Sequence, residues 1–280
     1  MKKLFVYFAI ISLFSAGAFS CGGDGDDDGQ LSGKPARIKS SYNDDVSFSY
    51  QDDRLLQITE NGDGGSGSTY EFGYGNDELS SLSSRPTDPR IADGDSYHTF
   101  KKDDSGKITV EITGFAPDVR VQEIELDANF PVKITDMGRY SIDEGGVKKK
   151  TGDGEYYSFF SWNATTGQLL KEEVRRIETS ETVAVYTYKY DGAPGVLSGV
   201  DCPLWFYAYW NRNLHFSLGT YKALFFGYAN NLTEATVDDS LTDRHEVLKY
   251  VYDYGTDGLP VSVSVQTAGG ETLTTVQIQY

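Results

Sequence analysis

The chain repeats a pattern in which aromatic residues alternate along a short segment that ends in a polar Gly/Asp turn. The clearest copy holds Tyr186, Tyr188 and Tyr190. Because successive side chains of a β-strand point to opposite faces, these tyrosines share one face, while Thr187 and Lys189 occupy the other. Each copy therefore predicts a β-hairpin with one aromatic face.

Similar segments recur through most of the sequence. Further copies begin at Phe48, Tyr70, Tyr157 and Tyr250, and weaker ones at His98 and Phe130. A lone hairpin is not stable in water, so about seven in succession bury their aromatic faces by pairing into one continuous sheet. Roughly a dozen strands exceed what a twisted open sheet holds. We expect an all-β domain over residues 36–280, a meandering antiparallel sheet curled into a barrel or a barrel-like fold.

Composition narrows the classes of partner. The 280 residues include 25 basic and 42 acidic side chains, a net charge of −17. A nucleic-acid surface needs a basic patch to offset phosphate repulsion, so no nucleic-acid partner is expected. Two cysteines and three histidines provide few ligands for a disulfide framework or a Cys/His metal site. We expect no metal and no cofactor.

The first twenty residues have the composition of an export signal. Lys2 and Lys3 precede an apolar run at residues 4–14 and a segment of mostly small residues at 15–20. This order predicts a secretory signal peptide over residues 1–20. The apolar run is shorter than the roughly 20 residues of a transmembrane anchor.

Cys21 follows this segment directly and is succeeded by an acidic, glycine-rich run. The arrangement resembles the lipobox of bacterial lipoproteins, which implies that the leader is removed, that Cys21 is acylated and that the lipid bilayer is a partner. Residues 21–35 are too polar to fold, so we expect a flexible stalk. An acidic run behind the lipidated cysteine is similar to the export signal of Bacteroidota-type surface lipoproteins. It implies an outer-membrane location facing the cell surface, with the periplasmic face as the alternative.

The turns add a second resemblance. Tyr190-Asp191 and Tyr252-Asp253-Tyr254-Gly255 look like the Tyr-Asp repeats of secreted bacterial shell proteins. Together with the lipobox and the stalk, residues 36–280 resemble a family of Bacteroidota-type lipoproteins of unknown function with a porin-like fold. The resemblance implies a porin-like antiparallel barrel. That family has no established activity, so it provides no functional residues.

An outer-membrane pore is the lowest of the functional alternatives. A strand in a membrane barrel needs one wholly apolar face. In the segment from Leu170, strict alternation places Glu172 on the face of Leu170, and it places Lys171 and Glu173 on the other face. Neither face is then suited to lipid.

One aromatic segment, near residues 202–232, does not alternate. We expect it to be irregular or to contain a short helix that plugs the sheet. Two interpretations stay open, because aromatic residues mostly form core but also line grooves where rings stack on sugar faces. The candidate ligand-binding residues are Trp205, Tyr207, Tyr209, Trp210, Asn211 and Arg212. Cys202, left without a partner once Cys21 is acylated, is expected to be a small buried apolar residue.

Residues for catalysis are sparse. His98, His215 and His245 accompany no nucleophile motif, and we expect His245 to be a solvated or salt-bridged surface residue. No catalytic residue is therefore assigned. The leading interpretation is a non-enzymatic, surface-tethered domain that binds or scaffolds, with a glycan or an envelope protein as ligand. The alternative is a carbohydrate-active hydrolase, which requires only two suitably spaced carboxylates.

Overall fold

The computed structural model describes residues 33–62, 67–87, 95–114, 118–143 and 147–280. The expected signal peptide, the lipidation site Cys21 and nearly all of the stalk lie outside these residues, so they stay predictions. No helix among the described residues is long and apolar enough to cross a membrane.

Seventeen β-strands lie within these residues. They are β1 Arg37–Ser40, β2 Asp45–Gln51, β3 Arg54–Asn61, β4 Gly67–Gly75, β5 Glu78–Pro86, β6 Ser96–Lys102, β7 Ile108–Thr113, β8 Val119–Asp127, β9 Phe130–Ile142, β10 Lys148–Gly152, β11 Tyr156–Asn163, β12 Gln168–Arg176, β13 Thr182–Pro194, β14 Asn230–Asp239, β15 Arg244–Tyr254, β16 Pro260–Thr267 and β17 Thr272–Gln279.

Short turns join most neighbouring strands. Between β4 and β5 the loop is only two residues long, because Gly75 pairs with Glu78. Asn76 and Asp77 in this loop have φ values of 51° and 65°. Asn and Asp tolerate this left-handed conformation, which tight hairpins require. The polar turns in the sequence therefore fix where each strand reverses.

The strands close into a ring. Consecutive strands pair antiparallel from β1 to β9 and from β11 to β17. The first strand also pairs with the last, with Ile38 opposite Ile278. Both β10 and β11 pair with β9, at different stretches of its length, and so share one place in the ring. The described residues thus form a closed antiparallel barrel with 16 strand positions, which confirms the predicted all-β barrel.

A β-bulge in β9 marks the point where pairing passes from β11 to β10. Gly138 has φ +99°, and a Cβ atom at this position would lie 2.1 Å from the carbonyl oxygen of Gly152. The Asp136 side chain accepts a hydrogen bond from the Gly138 N–H at 3.1 Å. Only glycine fits this conformation and this close approach. The bulge at Gly138 therefore sets the face of β9 from which the Arg139 side chain projects.

The barrel is filled rather than hollow. Tyr186 and Tyr188 are buried while Lys189 is exposed, which confirms the predicted aromatic face. The segment between β13 and β14 contributes a helix, α1 (Leu204–Arg212), and two short 3₁₀ helices (His215–Ser217 and Tyr221–Phe226). We call residues 195–229 the plug. Its buried side chains belong to the same hydrophobic core as the inward faces of the strands, which confirms the predicted helical segment.

The outward faces carry charged side chains. Ion pairs join neighbouring strands on this surface, at 3.3 Å for Lys101–Glu111, 3.1 Å for Lys107–Glu123, 3.2 Å for Lys133–Glu125 and 2.7 Å for Lys189–Glu234. Apolar side chains are thus concentrated inside and charged ones outside.

The predicted alternation in β12 is wrong at one point. A bulge makes Leu170 an extra residue, because Ser161 pairs with Lys171 while Trp162 pairs with Leu169. Leu170 is consequently exposed and does not share a face with Glu172, which is fully buried. A one-residue shift of this kind moves every later side chain to the other face.

Candidate functional site

A partly open cavity of about 670 Å³ lies at the C-terminal end of α1. Strands β4 to β9 each contribute at least one inward side chain to it, Asp118 contributes from the position just before β8, and the plug contributes the rest, from Tyr209 to Lys222. We call it the C-terminal cavity. Its volume lies within the range of roughly 300–1,000 Å³ typical of small-molecule sites.

Aromatic rings form one part of this cavity. Trp210, only 9% exposed, packs edge-on against Tyr70 with ring centroids 5.0 Å apart, and Tyr209 also lines the space. Among the described residues, the Trp210 indole nitrogen has no hydrogen-bond acceptor. Flat rings of this kind provide a surface for the apolar face of a ligand.

Another part of the lining is basic. Arg120 on β8 lies opposite Arg139 on β9 in the strand register, and Lys222 of the plug also lines the cavity. Arg120 pairs with Asp136 at 2.6 Å, and Lys222 pairs with Glu60 at 3.1 Å. Within the part of the chain that the structure describes, Arg139 has no ion pair. The cavity therefore contains one arginine whose charge is not matched by a neighbouring carboxylate.

Gln122 adds an amide to the same lining. Its side chain faces the cavity on β8, and the residue is only 5% exposed. It has no side-chain hydrogen bond to any of the described residues. Because polar groups nearly always pair with protein or water and this amide borders the open cavity, it can bond to water or to a ligand there.

His98 lies in the cavity between two hydroxyl groups. Its Nε2 atom is 3.1 Å from the Ser96 hydroxyl, and its Nδ1 atom is hydrogen-bonded to the Tyr209 hydroxyl. Burial lowers the pKa of His98 to about 4, so the imidazole is neutral at pH 7. A histidine with so low a pKa is a weak general base for the neighbouring serine.

A second cavity, of about 520 Å³, lies at the N-terminal end of α1, and we call it the N-terminal cavity. Trp205, Tyr74 and Cys202 line it. The ring of Phe100 on β6 packs 5.0 Å from that of Trp205 and 5.5 Å from that of Tyr209, two residues that line different cavities.

Two residues discussed from the sequence lie outside the C-terminal cavity. Cys202 is a free thiol, partly buried against the core, and burial together with Asp201 raises its pKa. His245 is exposed, and its Nδ1 atom lies 2.7 Å from a carboxylate oxygen of Asp238. His245 is thus a surface residue beside a carboxylate, in line with the predicted solvated or salt-bridged surface position.

The six predicted ligand-binding residues point to separate regions. An α-helix turns by about 100° per residue, so consecutive side chains of α1 do not share one face. The structure therefore forms no single groove from them. Trp205 lines the N-terminal cavity, Tyr209 and Trp210 line the C-terminal cavity, Tyr207 stacks on Tyr228 at 4.4 Å, and Asn211 and Arg212 line neither cavity.

A buried charged cluster lies behind α1 and was not predicted. Glu172 is 0% exposed, with one carboxylate oxygen 3.0 Å from Nε2 of His215 and the other 4.0 Å from Nε of Arg212. The Tyr186 ring stacks on His215 at 3.7 Å. Burial opposes a charge on Glu172, but attraction to His215 and Arg212 outweighs it and holds the pKa of Glu172 below its usual range. The cluster fixes the plug to β12.

Part of the cavity lining could be predicted from the alternation of residues in the sequence. Arg120 and Gln122 precede the buried Ile124 with a period of two, which places all three on one face of β8. Arg139 had no such signal, because the bulge at Gly138 interrupts the alternation of β9. The polar residues of the cavity therefore come from strands, whereas the sequence pattern drew attention to the helix.

Comparisons with known proteins find similarity at the level of solved structures. A porin-like protein from Bacteroides uniformis aligns over 88% of this chain and 97% of its own, with 14% identity and a TM-score of 0.36. A porin-like protein from Bacteroides vulgatus aligns over 88% and 98%, with 9% identity and a TM-score of 0.37. No protein-family model matches the chain, and no curated protein matches it. The closed barrel itself follows from the chain's own strand pairing.

Proposed function

We propose that this protein is a non-enzymatic, envelope-tethered binding domain that captures a glycan in the C-terminal cavity. The observation that carries the proposal is the cavity of about 670 Å³. Trp210 and Tyr70 line it together with Gln122 and Arg139, whose side chains have no hydrogen-bond or ion-pair partner among the described residues. Aromatic rings with a few convergent polar groups are the usual composition of a small-ligand site. A concave site of this size favours the end of a glycan over the broad surface of a folded protein.

The tether is proposed from the sequence. The basic and apolar residues before Cys21 support export and acylation, and the acidic stalk supports display at the outer membrane. Several acyl chains on one cysteine would give stable anchoring. In this arrangement the bilayer holds the protein and leaves the barrel free to bind its ligand.

The distribution of side chains favours this function over a pore. A membrane barrel presents an apolar band to lipid and keeps a polar interior. Here the outward faces carry ion pairs such as Lys133–Glu125, while the plug residues Leu218 and Phe226 are fully buried inside. Such a barrel is suited to water outside and to a packed core within.

The cavity also favours binding over glycoside hydrolysis. Hydrolysis of this kind uses two carboxyl groups on either side of the scissile bond, about 5 to 10 Å apart. Among the described residues that line the cavity, Asp118 alone carries a carboxylate. Glu60 and Asp136 lie nearby, but each is paired with a basic residue of the lining.

Blocking the cavity tests the proposal. Ser84 on β5 lines it, and its neighbour Ser83 points outward and hydrogen-bonds Glu71 at 3.2 Å. In a glycan-array screen of the full chain, we expect Ser84→Trp to abolish binding, because the indole occupies the ligand's space. Ser83→Trp is the matched control and retains binding. Absence of binding to every glycan, or equal binding by both variants, would contradict the proposal.

A further inference from the structure

We infer that the ligand of the C-terminal cavity carries a carboxylate, so that the glycan class is an acidic, uronate-type sugar. The inference rests on the proposed function and names its ligand class. It is drawn from the charges and unpartnered donors of the cavity lining.

The lining of the cavity is basic within an acidic chain. Arg120, Arg139 and Lys222 line the cavity against one acidic side chain, Asp118, although the chain as a whole has 42 acidic and 25 basic residues. Among the described residues, no carboxylate oxygen lies within ion-pair distance of Arg139, and that includes Asp118. An acidic chain therefore retains, at this cavity, a basic group that has no ion-pair partner among the described residues.

Two arginines face each other in the strand register. Arg120 and Arg139 are directly opposite each other on β8 and β9, and like charges in this position are unfavourable. Asp136 neutralises Arg120 and also fixes the bulge that directs Arg139. Arg139 is exposed at the cavity, so its guanidinium group can bind an anion from outside the chain.

Hydrogen-bond donors also line the cavity. Among the described residues, the Gln122 amide borders the cavity and has no side-chain hydrogen-bond partner. Together with the Arg139 guanidinium group it offers N–H groups to a ligand that is rich in acceptor oxygens.

The shape of the guanidinium group favours one kind of anion. The group is planar, and its paired N–H donors match the two oxygens of a carboxylate. The Tyr70 and Trp210 rings of the same lining suit the flat face of a sugar ring. A sugar ring that bears a carboxylate combines both requirements in one unit.

Matched acid and ester sugars test the inference. Calorimetric titration of the full chain in detergent would use oligomers of galacturonic, glucuronic and mannuronic acid, each compared with its methyl ester. We expect at least one acid to bind roughly ten- to a hundredfold more tightly than its ester, as for a hydrogen bond to a charged group. Arg139→Gln removes that difference. Arg85→Gln is the matched control, because Arg85 is an exposed residue of β5 that pairs with Glu71.

Each outcome is decisive. If esters or neutral sugars bind as tightly as the acids, or if only sulfated sugars bind, the inference is overturned while the proposed function stands. If no sugar of any class binds, both fail. If Arg139→Gln does not fold, Arg139→Lys is measured in its place, because lysine keeps the positive charge but lacks the planar guanidinium group. We then expect a smaller preference for the acid over its ester than in the wild type. A preference as large as in the wild type would overturn the role of Arg139.

Discussion

Replacing Glu172 by Gln tests whether the buried cluster holds the plug in the barrel. Glu172 is fully buried, 3.0 Å from His215 and 4.0 Å from Arg212. Removing one partner of a buried ion pair leaves the other charge uncompensated, which costs about 3–5 kcal/mol. We expect Glu172→Gln to lower the free energy of unfolding in urea at pH 7 by that amount.

The adjacent residue provides the control. Glu173 lies on the outward face, where it contacts Lys171 and Arg175. Surface pairs of this kind contribute about 0–1 kcal/mol, so Glu173→Gln should have little effect. A loss below about 1 kcal/mol for Glu172→Gln, equal to that of its neighbour, would refute the reasoning.

The same pair of proteins gives a pH test. The pKa of Glu172 is lowered in the folded state, so its contribution to stability is present above the unfolded-state pKa, near 4.3. That contribution is lost as the pH falls through the lower folded-state value. The stability difference between wild type and Glu172→Gln should therefore narrow below about pH 4. A stability difference that stays constant or widens below about pH 4 would contradict a lowered pKa for Glu172 in the folded state.

Three further predictions concern the bulge, the core and the thiol. Gly138→Ala should lower the free energy of unfolding in urea by roughly 1–3 kcal/mol, because alanine is strained at positive φ and its Cβ would meet the carbonyl oxygen of Gly152. An unchanged free energy of unfolding would argue against the bulge. Phe226→Ala, in the plug, should cost about 3–5 kcal/mol by the same measurement. Phe216→Ala should stay within about 0.5 kcal/mol, because Phe216 is 71% exposed. Cys202 should react with iodoacetamide at pH 8 at least about tenfold faster in the unfolded chain than in the native one, read by mass spectrometry, because burial raises its pKa.

The sequence predicted the barrel because its physical cause is local. Alternation of residues such as Tyr186 and Tyr188 with polar neighbours sets one apolar face per strand, and the turn residues set where each strand reverses. These patterns repeat along the chain, so they also indicated that many strands must pair into one sheet. Closure through Ile38 and Ile278 brings the two ends of the domain together, which no local pattern specifies.

The candidate site was only partly predictable, for two reasons. Bulges at Leu170 and Gly138 shift the strand faces, so alternation alone misplaced Leu170 and did not assign Arg139 to the cavity. The aromatic segment was correctly expected to plug the sheet. Which of its rings reach a cavity depends on how α1 packs against the strands, and that is a property of the assembled core.

The three tryptophans of the chain allow the most direct test of the central claim. Trp210 lines the C-terminal cavity, Trp205 lines the N-terminal cavity, and Trp162 packs between Phe130 and Tyr228. With 5-fluorotryptophan incorporated, ¹⁹F NMR of the full chain during a titration with uronate oligomers should shift the Trp210 resonance and leave the other two unchanged. A shift confined to Trp205, or no shift while the sugar binds, would contradict capture in the C-terminal cavity.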